Sequence, residues 1–548
     1  MFRSLVSIAV LFTLLTACSP ATAPTSAPSL EPEAALPTVT DLPAAAASTA
    51  PVEEPTLPVK APEKTLELSL TPEKTAEPTL AASSTIDQPA GPDFSGVQDY
   101  TPAFMSFLGD NFNNTNIHAV DYRSDLKLLA VAGCIFECSE VMGGGGFLIL
   151  LDEDQLKPLR SIPIDKTRKI FDVDIAPSGK SLIYSFYGQI LEYDIAADST
   201  RVFWKNPIND SAPFSFYSPD GKYLAVSASK QIFILDASTG QQVSQILNSF
   251  IGSSWSSVFN QQGNRLTIFS GEDRSQAVIY EVGTWQVLSK IPTPKPSVVA
   301  VSPDGKLAAV SIAENPEIKL IDLQSGVEQW VLQPQYEKLV MMRFNPSGSL
   351  LIASGRPQDD ADMYDVFWMI DAKTGRDLGR LLDIDYPGLL QFSADGESFV
   401  AFSGSMYSLR KWGPKTDELK AAEALLREYF GALAGGDYQK AAGLSSLDAY
   451  SVEDVKNAGL DPKDLPAAFE ALCAQDEVPC LPLGRVAYIG MDRGEPWNYM
   501  ALVTLALPDG TEHRFDDISP YEYIGIVKNA QGQLRVASLH PGMRYPFE

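Results

Sequence analysis

The sequence predicts a mainly β protein: a seven-bladed β-propeller followed by a small α+β domain. Three observations lead to this prediction. A pattern of strands and turns repeats about every 42 residues, an amphipathic helix follows the repeats, and five short strand patterns follow the helix. We divide the chain into a signal segment (1–18), a tether (19–98), the propeller (99–414) and the α+β domain (415–548).

A glycine turn between two short apolar strands marks each repeat. Successive turn glycines are 42, 42, 42, 43 and 48 residues apart. Proline presets φ, aspartate hydrogen-bonds locally and glycine accepts a positive φ, so these sequences are typical of tight turns. The turns read Pro177-Ser178-Gly179, Pro219-Asp220-Gly221, Gln261-Gln262-Gly263, Pro303-Asp304-Gly305, Pro346-Ser347-Gly348 and Ala394-Asp395-Gly396.

An acid at the end of the third strand is the second mark of the repeat, as in Leu235-Asp236 and Ile370-Asp371. A polar fourth strand follows several of these acids. Four strands in about 42 residues is the period of a propeller blade. Seven blades fit the 298 residues from Ile117 to Pro414, with six or eight as alternatives. The region resembles WD40-like propellers, although other apolar–acid pairs replace the Trp-Asp dipeptide.

The last predicted blade has three strand patterns and lacks a fourth. The apolar segment Ala103 to Leu108 precedes the first blade and has no other partner. We therefore expect it to form the outer strand of the last blade, so that the ring leaves no long open edge.

The N-terminus has the features of a bacterial export signal. Arg3 precedes a 13-residue, mainly apolar run from Leu5 to Ala17. Leu15-Thr16-Ala17-Cys18 resembles a lipobox, which implies acylation of Cys18 and attachment to a lipid bilayer. The alternative is an ordinary secretory signal. The expected location is the cell envelope, outside the cytoplasm: the outer face of the cytoplasmic membrane, or the outer membrane if the host has one.

Residues 19–98 have the composition of a disordered tether. They hold fourteen of the forty prolines, and no aromatic residue occurs in them before Phe94. Alanine, threonine, serine and glutamate fill most of the rest. Such a stretch buries too little apolar area to offset its chain entropy. We interpret it as a spacer between the anchor and the folded domains.

The other four cysteines form two local pairs, Cys134 with Cys138 and Cys473 with Cys480. An even number of cysteines outside the cytoplasm favours two disulfides. A Cys₄ metal site is the alternative, but the spacings of the two pairs are unlike those of zinc ribbons.

Composition argues against several classes of site. The formal charge of −27 disfavours nucleic acid as a partner, and only three histidines occur. The acidic residues Asp359, Asp360, Asp362 and Asp365 fit a solvated loop better than a calcium site, since glycine and glutamate are not placed as in an EF-hand. We predict no catalytic residue, cofactor or metal.

The C-terminal part begins with a helix that Thr416 caps. Ala422, Leu425, Leu426, Tyr429, Phe430 and Leu433 recur at helical spacing, and Asp437 is placed to cap a second helix. A further capping box is expected at Ser451 to Asp454. Residues 426–441 resemble the opening of NTF2-like (SnoaL-like) domains. That resemblance implies helices over a curved sheet with an internal pocket, towards which His513, Asp516, Asp517 and Tyr521 could face.

These observations predict a membrane-anchored lipoprotein that acts as a scaffold and has no catalytic activity. Its propeller would bind a protein or another envelope ligand whose identity the sequence does not give. The alternative is an extracytoplasmic enzyme or small-ligand binder that uses a pocket in the C-terminal domain. A filled C-terminal core would favour binding by the propeller.

Overall fold

A computed structural model describes most of the chain from residue 92 onwards. The described ranges are 92–100, 115–135, 145–153, 158–164, 169–207, 213–228, 231–247, 257–270, 275–294, 296–312, 315–333, 336–357, 366–382, 387–403, 408–474, 480–491, 497–513 and 522–538. The signal segment, Cys18 and most of the tether therefore lie outside the described residues. Within the described ranges, no helix is both long and apolar enough to cross a membrane.

Six antiparallel sheets of four strands follow one another along the chain in a propeller arrangement. The first two are β2 (Thr115–Arg123), β3 (Leu128–Ile135), β4 (Gly145–Asp152), β5 (Pro158–Ser161), and β6 (Asp172–Ile175), β7 (Ser181–Phe186), β8 (Gln189–Asp194), β9 (Ser199–Lys205). The next two are β10 (Phe214–Tyr217), β11 (Tyr223–Ala228), β12 (Gln231–Asp236), β13 (Gln242–Leu247), and β14 (Ser257–Phe259), β15 (Arg265–Ser270), β16 (Gln276–Glu281), β17 (Val287–Pro292). The fifth and sixth are β18 (Val298–Val301), β19 (Leu307–Ile312), β20 (Asn315–Asp322), β21 (Glu328–Leu332), and β22 (Tyr336–Phe344), β23 (Leu350–Pro357), β24 (Val366–Asp371), β25 (Asp377–Leu382).

The predicted turns form for the predicted reasons. In the third blade, Gly221 has a φ of 69°, a left-handed conformation that glycine adopts without a steric penalty. Asp220 Oδ1 accepts hydrogen bonds from Ser218 Oγ at 2.7 Å and from the Lys222 backbone N–H at 3.1 Å. The acid that closes the third strand also behaves as expected, since Asp236 accepts from the backbone N–H groups of Ser238 and Thr239. Local hydrogen bonding therefore sets these two turns, which lie at the same end of the blade.

The last group of propeller strands differs from the other six. It comprises β26 (Pro387–Phe392), β27 (Phe399–Ser403), β28 (Ser408–Gly413) and, from the start of the described chain, β1 (Gly96–Asp99). The strand β1 pairs antiparallel with β28 and also parallel with β29 (Leu483–Met491) of the C-terminal domain. These strands therefore belong to one eight-stranded sheet. The prediction of seven blades is wrong on this count, because six blades are separate sheets and the last group continues into another domain.

The predicted outer strand also needs correction. We expected Ala103 to Leu108 beside β28, but β1 holds that position, and residues 101–114 lie outside the described residues. The segment was misassigned because Gly96-Val97-Gln98-Asp99 is not apolar, and all of it except Asp99 lies within the range assigned to the tether. The anchoring contacts come instead from buried Phe94, Val97 and Tyr100.

The strands β26–β28 lie between the sixth and the first blade. On one side, the rings of Phe367 and Phe399 make an edge contact with centroids 5.3 Å apart. On the other side, Gln391 Nε2 donates to Asp121 Oδ1 at 2.5 Å. The first strand of the group, β26, contacts the first strand of the sixth blade, β22, and that of the first blade, β2. These first strands form the inner layer around the propeller axis.

The C-terminal domain packs helices against a sheet. The helices are α1 (Asp417–Ala434), α2 (Tyr438–Gly443), α3 (Ala449–Asn457) and α4 (Leu465–Ala474), and the strands after β29 are β30 (Tyr499–Leu505), β31 (Glu522–Lys528) and β32 (Leu534–Val536). Thr416 and Asp437 cap α1 and α2 as predicted, and all six apolar positions predicted for α1 are buried. Asp448, rather than Ser451, caps α3. The predicted capping box is therefore displaced by one turn.

Candidate functional site in the propeller channel

One position in the inner strands differs sharply from blade to blade. It lies five residues before each turn glycine, where the blades from the second onwards carry Asp174, Phe216, Val258, Ala300, Arg343 and Gln391. In the first blade we assign Asp121 to this position, because it accepts a hydrogen bond from a backbone N–H of the next blade, as Asp174 does. We call these seven residues the axial position. We use the word sector for each of the six blades and for the group formed by β26, β27, β28 and β1. The polar members of the axial position lie in consecutive sectors, from the sixth blade through β26 to the second blade. The apolar members lie in the third to fifth blades.

Three of the polar residues hold neighbouring sectors together. Each accepts a hydrogen bond from a backbone N–H in the inner strand of the following sector. The acceptors Gln391, Asp121 and Asp174 bond to the N–H groups of Tyr122, Ile175 and Tyr217 at 3.2, 2.7 and 2.7 Å. A buried backbone donor needs such a partner, so these residues have a structural role.

Burial raises the pKa of the channel carboxyl groups. The pKa of Asp172, which accepts from the Ser215 N–H at 2.6 Å, rises to about 7. The pKa values of Asp121 and Asp174 are also raised by burial, and the charge of Asp121 further raises the pKa of Asp174. The pair therefore carries less negative charge than two separate aspartates.

Arg343 is the cationic member of the axial position. Its side chain is exposed, yet burial by the surrounding protein lowers the pKa of its guanidinium, while the charge of Asp121 raises it. Both observations fit a side chain inside a channel, where solvent reaches the group although protein lies on most sides. A guanidinium presents paired N–H donors, which suit planar anions such as carboxylates.

A small cavity lies beside Arg343. Its volume is about 30 Å³, and its walls come from the sixth blade, the last group of strands and the first blade. Gln391 adds a second polar group, and the remaining lining residues are Val120, Leu390, Val400 and Phe402. Apolar walls with a few placed polar groups are the usual make-up of small-molecule sites.

Among the described residues, no three His, Cys, Asp or Glu side chains are grouped so that they could hold a metal ion. Asp359, Asp360, Asp362 and Asp365, for which we predicted a solvated loop, lie outside the described residues.

The cysteine predictions are confirmed in part. Cys473 and Cys480 form a disulfide with Cα atoms 5.5 Å apart. Cys134 is buried at the end of β3 and is itself disulfide-bonded. Its expected partner Cys138 lies outside the described residues, so that pairing stays a prediction.

The C-terminal candidates are not brought together by the described residues. His513 is partly buried after β30, and its backbone N–H donates to the Leu505 carbonyl at 2.9 Å. Asp516, Asp517 and Tyr521 lie outside the described residues. Between helices and sheet, the described interior is an apolar cluster that includes Leu426, Phe430, Phe469, Ile489 and Ile524.

Sequence reasoning missed the axial position. With the turn glycines aligned, the residue five places before each of them is Asp, Arg or Gln in three repeats and apolar in the other three, and this contrast was the available signal. No protein-family model matches this chain, and no curated protein is similar enough to match it.

Proposed function

We propose that this protein is a lipid-anchored binding protein of the cell envelope whose propeller channel holds a small ligand. The observation that carries the proposal is the uneven axial position, with exposed Arg343 beside a small cavity. The ligand would enter at the end of the inner strands that leads into the glycine turns.

Blade packing accounts for only part of this arrangement. Gln391, Asp121 and Asp174 each bond to the next sector, as the fold requires. In the fifth blade, Ala300 fills the same position, so an inner strand does not need a long charged side chain there. This reasoning favours a ligand role for Arg343.

Further features of the proposal come from the sequence. The lipobox at Cys18 and the proline-rich tether would hold the propeller outside the cytoplasm. We also propose that β26, β27, β28 and β1 act as a seventh sector that closes the ring, and that the C-terminal domain is NTF2-like. Pairing of β1 with β28 and with β29 supports a rigid connection between propeller and C-terminal domain.

A matched pair of valine substitutions in the fourth blade tests this function. Val258→Trp would fill the channel at the axial position, whereas Val287→Trp adds the same bulk to the exposed outer strand β17. The full chain would be heated with low-molecular-mass fractions of culture medium and envelope extract. We expect a fraction that raises the Tm of the wild type and of Val287→Trp but not of Val258→Trp. An equal rise in Val258→Trp would place binding outside the channel and contradict the proposal.

A melting curve without extract shows whether Val258→Trp folds. If it does not, Val258→Phe adds less bulk at the same position and provides the comparison.

A further inference from the structure

We infer that the outer strand β13 of the third blade is an interface at which two copies of this chain pair edge to edge. The two β13 strands would run antiparallel, with Gln245 of one copy opposite the same residue of the second copy. This surface is separate from the channel, so the inference goes beyond the proposed function and does not depend on a channel ligand.

The outer edge of β13 is open. Its sheet has the order β10-β11-β12-β13, and no strand of the described residues pairs with β13 on its outer side. An open edge presents backbone N–H and C=O groups that can pair with another strand. The C-terminal domain contacts the rim elsewhere, where β29 lies beside β25 and pairs with β1. The outer strand β1 thus already accepts a strand from outside the propeller.

The strand β13 lacks the features that usually protect an edge. Charged side chains and proline discourage pairing with another chain. Among the described outer strands of the six blades, β13 alone has neither. The charged residues of the other five include Arg160, Arg201, Lys290, Glu328 and Arg380. The rim of the third blade is therefore the part of the described rim that best suits pairing with a further strand.

The exposed face of β13 is complementary to itself. Val243 and Leu247 are 49% and 78% exposed, and Gln245 between them is also exposed, whereas Ile246 is buried in a cluster with Phe259 of the fourth blade. An antiparallel pair centred on Gln245 places Val243 of each copy opposite Leu247 of the other. Both apolar side chains would then lose contact with water. This match favours a second copy as the partner.

No like charges meet within this strand pair, because β13 carries none. The amide of Gln245 is already hydrogen-bonded on its own sheet, since it donates to Gln231 and accepts from Gln242. The formal charge of −27 makes two copies repel each other at long range, and salt screens this repulsion. Association should therefore be weak and should tighten as salt is added. Attachment of both copies to one membrane, as proposed above, would raise their effective concentration.

Sedimentation equilibrium of the full chain tests the inference. One strand pair buries little area, so concentrations should extend to about 200 µM. We expect the average mass to rise from that of a monomer towards that of a dimer, and the dimer to tighten with added sodium chloride. Gln245→Lys sets two like charges opposite each other and should weaken the dimer at least tenfold. Val287→Lys, the same kind of change on exposed β17, is the control and should associate as the wild type does.

Cross-linking tests the register. Directly opposed residues of an antiparallel pair have Cα atoms about 4.5–5.5 Å apart, which a disulfide can span. Gln245→Cys should therefore form a linked dimer under mild oxidation, seen on a non-reducing gel. Lys290→Cys is the matched control, because Lys290 takes on β17 the place that Gln245 takes on β13. We expect at least tenfold less linked dimer from the control.

Two results would overturn the inference. One is a monomer over the whole concentration range, which would leave a strand of another protein as the partner of this edge. The other is association that persists unchanged in Gln245→Lys, together with equal cross-linking of Gln245→Cys and Lys290→Cys. If Gln245→Lys does not fold, the cysteine variants decide the question, since they add no charge.

Discussion

The exposed turns and the channel of the propeller both carry aspartates, but folding shifts their pKa values in opposite directions. In the turn after β26, hydrogen bonds from Ser393 and from the Glu397 N–H lower the pKa of Asp395. In the channel, burial raises the pKa values of Asp121, Asp172 and Asp174, although each also accepts hydrogen bonds. The comparison teaches that the distance from solvent and from other carboxylates, rather than the number of donors, decides the sign.

Opening the ring should have the largest effect on stability and should remove the difference between channel and turns. The channel aspartates are buried because the inner strands surround them. A chain lacking residues 1–100 loses β1 and the buried side chains of Phe94, Val97 and Tyr100. We expect a loss of at least about 5 kcal/mol in the free energy of unfolding, measured by urea denaturation. A chain lacking residues 1–91 is the control and should match the full chain. Equal stability of the two truncated chains would contradict the role of β1.

Removing a channel carboxylate should have the next largest effect. Asp121→Ala leaves the buried N–H of Ile175 and the amide of Gln391 without their acceptor. We expect a loss of about 3 kcal/mol at pH 7, because each buried donor left without a partner costs roughly 1–3 kcal/mol. Chemical denaturation of the variant and the wild type measures it. A loss below about 1 kcal/mol would mean that water replaces the carboxylate.

The pH dependence of stability should differ in sign between the two regions. Because the folded pKa of Asp172 is about 7, the folded state binds more protons than the unfolded state between about pH 4 and 7, and stability falls as pH rises through that window. Asp172→Asn removes this penalty. It should stabilise the protein by roughly 1–2 kcal/mol at pH 8 and by little at pH 5. Denaturation at both pH values checks this, and a benefit that is equal at both would contradict the raised pKa.

The turn aspartates should give the smallest effect. Asp395→Ala removes the acceptor of Ser393 Oγ, at 2.6 Å, and of the Glu397 N–H, at 2.9 Å. Because the site is exposed and water can replace the carboxylate, we expect a loss of about 0.5–1 kcal/mol at pH 7. This loss should shrink as pH falls through the lowered pKa of Asp395, since protonation already weakens the turn in the wild type. A loss as large as that of Asp121→Ala would erase the distinction between turn and channel.

Local chemistry explains what the sequence could predict. The turn at Pro219-Asp220-Gly221, the helix cap at Thr416 and the Cys473–Cys480 disulfide each depend on residues within a few positions of one another. Such patterns can be recognised from a single sequence.

Long-range pairing explains what it could not predict. The strand β1 pairs with β28 more than 300 residues later and with β29 later still, and four residues of mixed polarity leave no periodic signal. The bond between Gln391 and Asp121 likewise joins the two ends of the ring. The channel cluster becomes visible only when the repeats are aligned and the ring is closed.

Locating the ligand in a crystal tests the proposed function most directly. We would diffuse the low-molecular-mass fraction that raises the Tm of the wild type into crystals of the full chain and compare the electron density with that of untreated crystals. The account predicts new density in the channel beside Arg343 and Phe402. New density on the outer strands or in the C-terminal domain, with none in the channel, would contradict it.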